Sequence, residues 1–182
     1  MDRTRLARTG GVRMIAYRDA TPADAEALDA MAVAVWMETF GQSASPADIA
    51  TYLGQAYGPE GKLIADLTSG AATFRLALDG ERILGYCKVN PPWLPDAEPG
   101  ALQLSQIYVT YDQHGSGISR ALLDWAIETA RATQATALLL TVWEENHRAY
   151  AFYKKHGFEH IGDYAFPVGE QVDTDHIMRL RL

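Results

Sequence analysis

Ile107-Tyr108-Val109, then His114-Gly115-Ser116-Gly117-Ile118, then an apolar-periodic run from Ser119 to Ala132 follow one another in a single stretch of the chain. A β-rich segment here passes through a short glycine loop into a helix. That order exposes successive backbone N–H groups at a helix start, which can hold a phosphate. A Gly-x-Gly before a helix is also an ordinary way to turn a chain. The stretch therefore points to a phosphate-bearing cofactor only in combination with what surrounds it.

The 182 residues suit one well-packed core and are short for two independent domains. A hydrophobic content of 48% and a charged content of 21% are ordinary for a soluble globular protein. The net charge of -7 argues mildly against nonspecific nucleic-acid or anionic-membrane binding and is compatible with a cationic substrate. Cys87 is the only cysteine, so no intrachain disulfide can form. It lies in the strand-like run from Arg82 to Val89, where a packed thiol is the expected role. Residues 1–13 carry Arg3, Arg5, Arg8 and Arg13 without a long apolar core. They are expected to be a disordered leader or an upstream start before Met14, neither a secretory signal nor a membrane anchor, and the chain is expected to be cytoplasmic.

Working outward, Met14 to Arg18 reads as an opening strand, and Thr21-Pro22 as a helix cap with proline at the first helical position. Ala25, Leu28, Ala32, Val35 and Trp36 then form the apolar stripe of a helix of roughly four turns that ends near Phe40. Ser45-Pro46 with Asp48 starts a second helix, and Glu60 to Leu67 reads as a third. Thr73 to Leu78 and Ile83 to Val89 flank Asp79-Gly80, a strong hairpin signal. Four prolines between Asn90 and Gly100 require a loop. Leu102 to Tyr108 is a central strand ending before Tyr111. Residues 136–142 are a buried parallel strand, and Asn146 to His156 is a helix ended by Gly157. Two last strands, Phe158 to Phe166 and His176 to Leu182, are separated by Pro167-Val168-Gly169 and a polar turn. The order lacks the regular strand–helix repetition of a doubly wound nucleotide fold, which makes dinucleotide binding a poor explanation of the glycine loop.

The ordered combination of Gln106-Ile107-Tyr108-Val109, His114 to Leu123, and Asn146-His147-Arg148-Ala149-Tyr150-Ala151-Phe152-Tyr153-Lys154-Lys155-His156-Gly157-Phe158 resembles the GNAT acetyltransferase superfamily over nearly all of Met14 to Leu182. The resemblance implies the acyl-coenzyme A N-acyltransferase fold, an α/β (α+β) architecture with a mixed sheet of about six to seven strands flanked by helices in one domain, residues 14–182. It implies acetyl-coenzyme A as cosubstrate and a small-molecule amine as acceptor, and leaves a homodimer open. A closer resemblance, to bacterial PaiA-like polyamine N-acetyltransferases, rests on Glu38-Thr39-Phe40, Gly85 to Asn90, Val142 to Asn146 and Thr174-Asp175-His176-Ile177-Met178. It implies spermidine, spermine or a related amine. The cofactor-side motifs fit equally a peptide or antibiotic amine, and a coenzyme A-sensing protein with weak turnover.

The resemblance places Ile107, Tyr108 and Val109 beside the pantetheine arm, with the Val109 N–H as oxyanion donor. It places His114, Gly115, Ser116, Gly117, Ile118 and Ser119 in the pyrophosphate-binding turn. His114 stands where the family usually has Gln or Arg, with Gln113 beside it, and Ser119 stands where a glycine or alanine is usual. Asn146 is implied as a cofactor contact, although its position at a helix start also suits an N-cap. Tyr153 is implied as general acid toward the departing thiolate. As an aromatic beside Ala149 and Phe152 it also suits a core contact. No general base announces itself: Glu38, Glu144, Glu145 and His176 are titratable, whereas Gln103 and Gln106 stand where some relatives carry acids. Glu38, Trp36, Trp93 and His176 are the expected acceptor contacts. With one cysteine and no sequence-clustered histidines, no metal cage is expected.

Overall fold

The computed structural model describes residues 14–182, so the expected leader, residues 1–13, lies outside the described residues. Among the described residues seven strands, β1 (Ala16–Asp19), β2 (Thr73–Asp79), β3 (Arg82–Asn90), β4 (Leu102–Val109), β5 (Ala137–Trp143), β6 (Glu159–Val168) and β7 (Gln171–Arg181), form one sheet in the order β1-β2-β3-β4-β5-β7-β6. β4 and β5 are parallel and every other pair is antiparallel. The helices are α1 (Ala25–Phe40), α2 (Pro46–Ala56), α3 (Lys62–Ser69), α4 (Ile118–Ala132) and α5 (His147–Lys155). α4 is the crossover that lets β5 run parallel to β4.

Both faces of the sheet are covered because its middle strands are apolar on both sides. Leu28, Ala32, Val35 and Trp36 of α1 pack with Leu63 of α3 against Phe74, Leu76 and Tyr86. On the other face Ile118, Leu122, Leu123 and Ala126 of α4 and Tyr153 of α5 pack against Leu84, Cys87, Leu138, Leu140 and Met178. Cys87 is fully buried there, and burial pushes its thiol well above the usual range, as a packed rather than nucleophilic thiol requires.

Local signals explain most boundaries. The Ser45 hydroxyl accepts the Asp48 N–H at 3.2 Å and caps α2. At Thr21-Pro22 the chain first makes a 3-10 turn, Pro22–Asp24, and the α-helix begins only at Ala25. Two expectations at the C-terminal end need correction. Pro167 and Val168 lie within β6 rather than in the turn, and β7 begins at Gln171 rather than His176. β6 is the outermost strand of the sheet, where a residue without an N–H leaves no ladder bond unmade on the open side. Gly169 and Glu170 alone make the turn, and the Glu170 N–H is tied to Asp48 Oδ1 at 2.7 Å, which joins the hairpin to the start of α2.

Candidate functional site

β4 and β5 pair only at Leu102↔Leu138 and Gln103↔Leu139, and beyond these positions the two parallel strands part. A cavity of about 450 Å³ opens between Leu104–Tyr108 of β4 and Thr141–Trp143 of β5, with Asn146, Ala149 and Tyr153 of α5 in its wall. Its place outside the carboxyl ends of parallel strands is where α/β sheets commonly bind ligands. Ser105 is an extra residue in β4, because Lys88 opposes Gln106 while Val89 opposes Leu104. Such a bulge bends the strand and reverses the alternation of its side chains. Further on, the Thr110 N–H donates to the Leu84 carbonyl at 2.9 Å. Alternation along the ladder then turns the N–H groups of Ile107 and Val109 away from β3, toward the opening.

The glycine loop stands at the end of β4. Gly115 (φ 84°) and Gly117 (φ 92°) are in the left-handed region that favours glycine, and a Cβ on either would meet nothing within 4 Å. The backbone is thus open to a close neighbour. Ala121 is the first residue of α4 to bond back, to the Gly117 carbonyl at 3.1 Å, which leaves Ser119 and Arg120 among the open N–H groups of the helix start. This is the donor set a pyrophosphate needs. Arg82 grips Asp112 at 3.0 and 3.1 Å and anchors the approach to the loop on β3. Gln113 is spent on Asp112. His114 stays exposed but folds back on the end of β4: Nε2 lies 3.1 Å from the Val109 carbonyl, and Nδ1 takes a hydrogen bond from Arg148 of α5 at 2.7 Å. One imidazole thus joins the ends of β4 and α5.

Asn146 fills the capping role: its Oδ1 accepts the Ala149 N–H at 3.1 Å, while the residue also lines the cavity. Tyr153 is buried against Phe152 and Phe158 and reaches the same cavity. Burial raises its pKa, so the phenol holds its proton across the neutral range.

The far side of the cavity is aromatic and acidic. Trp36 stacks on Tyr52 at 5.0 Å, Phe40 meets Trp143 at 5.6 Å, and Trp93 meets Tyr164 at 5.3 Å. Lys62 and Lys88, also in the wall, are both consumed by Asp66, at 2.9 and 2.6 Å. Asp173 and Asp175 have no such lysine or arginine partner among the described residues. Burial pushes Asp175 up to about 6, against a hydrogen bond from Thr141 that pulls it down. Gln106 Oε1 and Asn90 Oδ1 are buried without a hydrogen-bond partner among the described residues. Each is an acceptor that a donor in the cavity would satisfy.

Of the expected acceptor contacts, Trp36 and Trp93 line the cavity and Glu38 and His176 do not. Glu38 is exposed on α1, two residues past the buried stripe that ends at Trp36. His176 shares its face of β7 with the core residue Met178, so it stands on the α5 side of the sheet. Glu144 and Glu145 are exposed in the turn before α5. Sequence reasoning missed Asp175 as a cavity residue. The signal was alternation: with Met178 facing the core, Asp173 and Asp175 must face the other way.

A match to the Acetyltransferase (GNAT) family spans residues 36–158. An uncharacterised N-acetyltransferase of Lactobacillus delbrueckii subsp. lactis is 30% identical over 148 residues, 80% of this chain and 84% of that protein. One from Mycobacterium tuberculosis is 28% identical over 155 residues, 85% of this chain and 96% of that one. Among solved structures, the PaiA N-acetyltransferase of Thermoplasma acidophilum in complex with coenzyme A shares the fold, with a TM-score of 0.73 at 20% identity, over 93% of this chain and 99% of that chain. The chain belongs to the GNAT family: it is an acetyltransferase, with acetyl-coenzyme A as its cosubstrate.

Proposed function

We propose that this GNAT-family member transfers the acetyl group to a primary amine held in the cavity between β4 and β5, with polyamines such as spermidine or spermine as the preferred class. The observation that carries this reading is the polar lining on the acceptor side. Asp173, Asp175 and the unpartnered oxygens of Gln106 and Asn90 are all acceptors, set among aromatic rings, while both lysines of the wall are neutralised. Such a wall suits a donor-rich cation, which gains from carboxylates and ring faces together. The resemblance of Glu38-Thr39-Phe40, Gly85 to Asn90, Val142 to Asn146 and Thr174 to Met178 to PaiA-like polyamine N-acetyltransferases points to the same class.

Acetyl-coenzyme A supplies an activated thioester when bound. The open N–H groups of Gly115, Gly117 and Ser119 would hold its pyrophosphate, the Ser116 N–H being spent on the Gln113 carbonyl at 3.1 Å, and Ile107, Tyr108 and the Asn146 amide would hold the pantetheine arm. The Val109 N–H, turned into the opening, donates to the carbonyl oxygen as negative charge grows there. Asp175 stands on the acceptor side to take the proton of the attacking amine, and Tyr153 gives its phenolic proton to the leaving sulfur. His114, already committed to Val109 and Arg148, holds the β4 and α5 ends in place rather than facing phosphate.

The test is turnover of purified protein with acetyl-coenzyme A across spermidine, spermine, shorter diamines, aminoglycosides and peptide amines, following coenzyme A release and acetylated product. Polyamines are expected to give the highest kcat/KM. Asp175→Asn should lower kcat/KM for the amine while leaving coenzyme A binding unchanged. Preference for an aminoglycoside or peptide amine would remove the polyamine assignment, and tight coenzyme A binding with no product from any amine would remove the proposed reaction.

A further inference from the structure

We propose that His160, Asp163 and His176, on the α5 side of the β6–β7 hairpin, form a binding site for a divalent transition metal of the zinc class. In a regular strand residues three apart face opposite sides, so His160 and Asp163 would be separated by the sheet. A bulge prevents this. His160 opposes Met178 and Gly162 opposes Ile177, which leaves Ile161 as an extra residue in β6. The added residue restores His160 and Asp163 to one face, and Asp163 is directly opposite His176.

The three side chains converge on one point. Asp163 Oδ1 lies 2.9 Å from His160 Nε2 and 2.7 Å from His176 Nδ1. All three ligand atoms fall within 4.8 Å of one another. Bonds of about 2.0–2.1 Å in tetrahedral geometry set ligand atoms about 3.3–3.4 Å apart. An ion seats there when each oxygen–nitrogen contact opens by about 0.5 Å and the two imidazole nitrogens, within 4.8 Å of each other, take the same separation. Two imidazoles and one carboxylate are a borderline-soft set that suits zinc, cobalt or nickel better than magnesium or calcium. The fourth position faces outward, since His160 and Asp163 are exposed. Tyr150 of α5 packs its ring 5.4 Å from His176 and 6.2 Å from His160, forming an apolar wall on one side. The site is separate from the acceptor cavity: His176 and Asp175 point to opposite faces of β7.

The decisive measurement is titration of the chelator-stripped full chain with zinc chloride by calorimetry and with cobalt(II) by visible absorption. One ion per chain is expected, with cobalt d–d bands of a four-coordinate nitrogen and oxygen site and a zinc-dependent rise in Tm. His160→Asn and Asp163→Asn should each weaken binding by at least about 10–100-fold, more than loss of a supporting hydrogen bond costs. Failure of the parent chain to bind, or equal binding by parent and both variants, would overturn the assignment. The parent's cobalt spectrum decides the question even if a variant fails to fold.

Discussion

Gly85→Ala tests whether the β4 strand and the start of α4 form one positioned unit. Gly85 sits in β3 opposite Val109. A Cβ there would lie 2.9 Å from the Tyr108 carbonyl oxygen, 3.0 Å from Val109 Cγ2 and 3.2 Å from Ile118 Cγ2. Ordinary carbon–oxygen approach is about 3.3 Å, so the backbone of β4 must yield by about 0.4 Å. Carbon–carbon contact begins at about 3.5 Å, so the Val109 methyl must yield by about 0.5 Å and that of Ile118 by about 0.3 Å. Overpacking of this kind costs about 1–3 kcal/mol. If about 1 Å of misplacement costs about 10²-fold, a 0.4 Å displacement of the Val109 N–H costs roughly sixfold in kcat/KM. The assay is coenzyme A release at fixed amine, with urea unfolding alongside. Gly54→Ala is the control, since a Cβ at exposed Gly54 in α2 meets nothing within 4 Å. It should gain about 0.5–1 kcal/mol with unchanged turnover. Parental stability and kcat/KM in Gly85→Ala would show that β4 and the start of α4 are not positioned through this contact.

Tyr153→Phe should lower kcat by roughly 10²-fold or more with little change in the KM for acetyl-coenzyme A, and parental kinetics would remove the phenol from the proton path. Lys88→Met leaves buried Asp66 with only Lys62, at 2.9 Å. It should cost about 2–4 kcal/mol in urea unfolding, below the loss for a pair with no second cation, and Lys88→Met/Asp66→Leu should recover most of it. Burial alone would raise the Asp66 pKa, but hydrogen bonds from Lys88 and Lys62 outweigh it and hold the carboxyl below its usual range. A depressed folded pKa means that the unfolded chain binds the proton first. The contribution of Asp66 is therefore complete above the ordinary carboxylate range and is lost as pH falls through the depressed value. Parent and Asp66→Asn stabilities should converge in acid, and a constant gap between them would contradict this sign.

Much of the architecture is legible in the sequence because its signals are local. Asp79-Gly80 turns the β2–β3 hairpin, Ser45 caps α2, and the stripe of Ile118, Leu122 and Ala126 marks the buried face of α4. The glycine loop was legible for the same reason, since its open N–H groups depend on a few adjacent dihedral angles. The strand ends near the C-terminus were less so. Pro167 reads as a breaker until its strand is known to be the outermost one, a fact that belongs to the order of the sheet.

Local chain chemistry is enough to set the strand–loop–helix unit that ends β4 and begins α4, and the hydrophobic periods that cover both faces of the sheet. Tertiary structure alone decided that β4 and β5 part after Gln103, that Asp175 faces the resulting cavity while Glu38 does not, and that His160, Asp163 and His176 meet. The physical reason is parity and register. One bulge residue, Ser105 in β4 or Ile161 in β6, reverses which side chains share a face, and that choice is made by pairing with a neighbouring strand rather than by the residues of the strand itself.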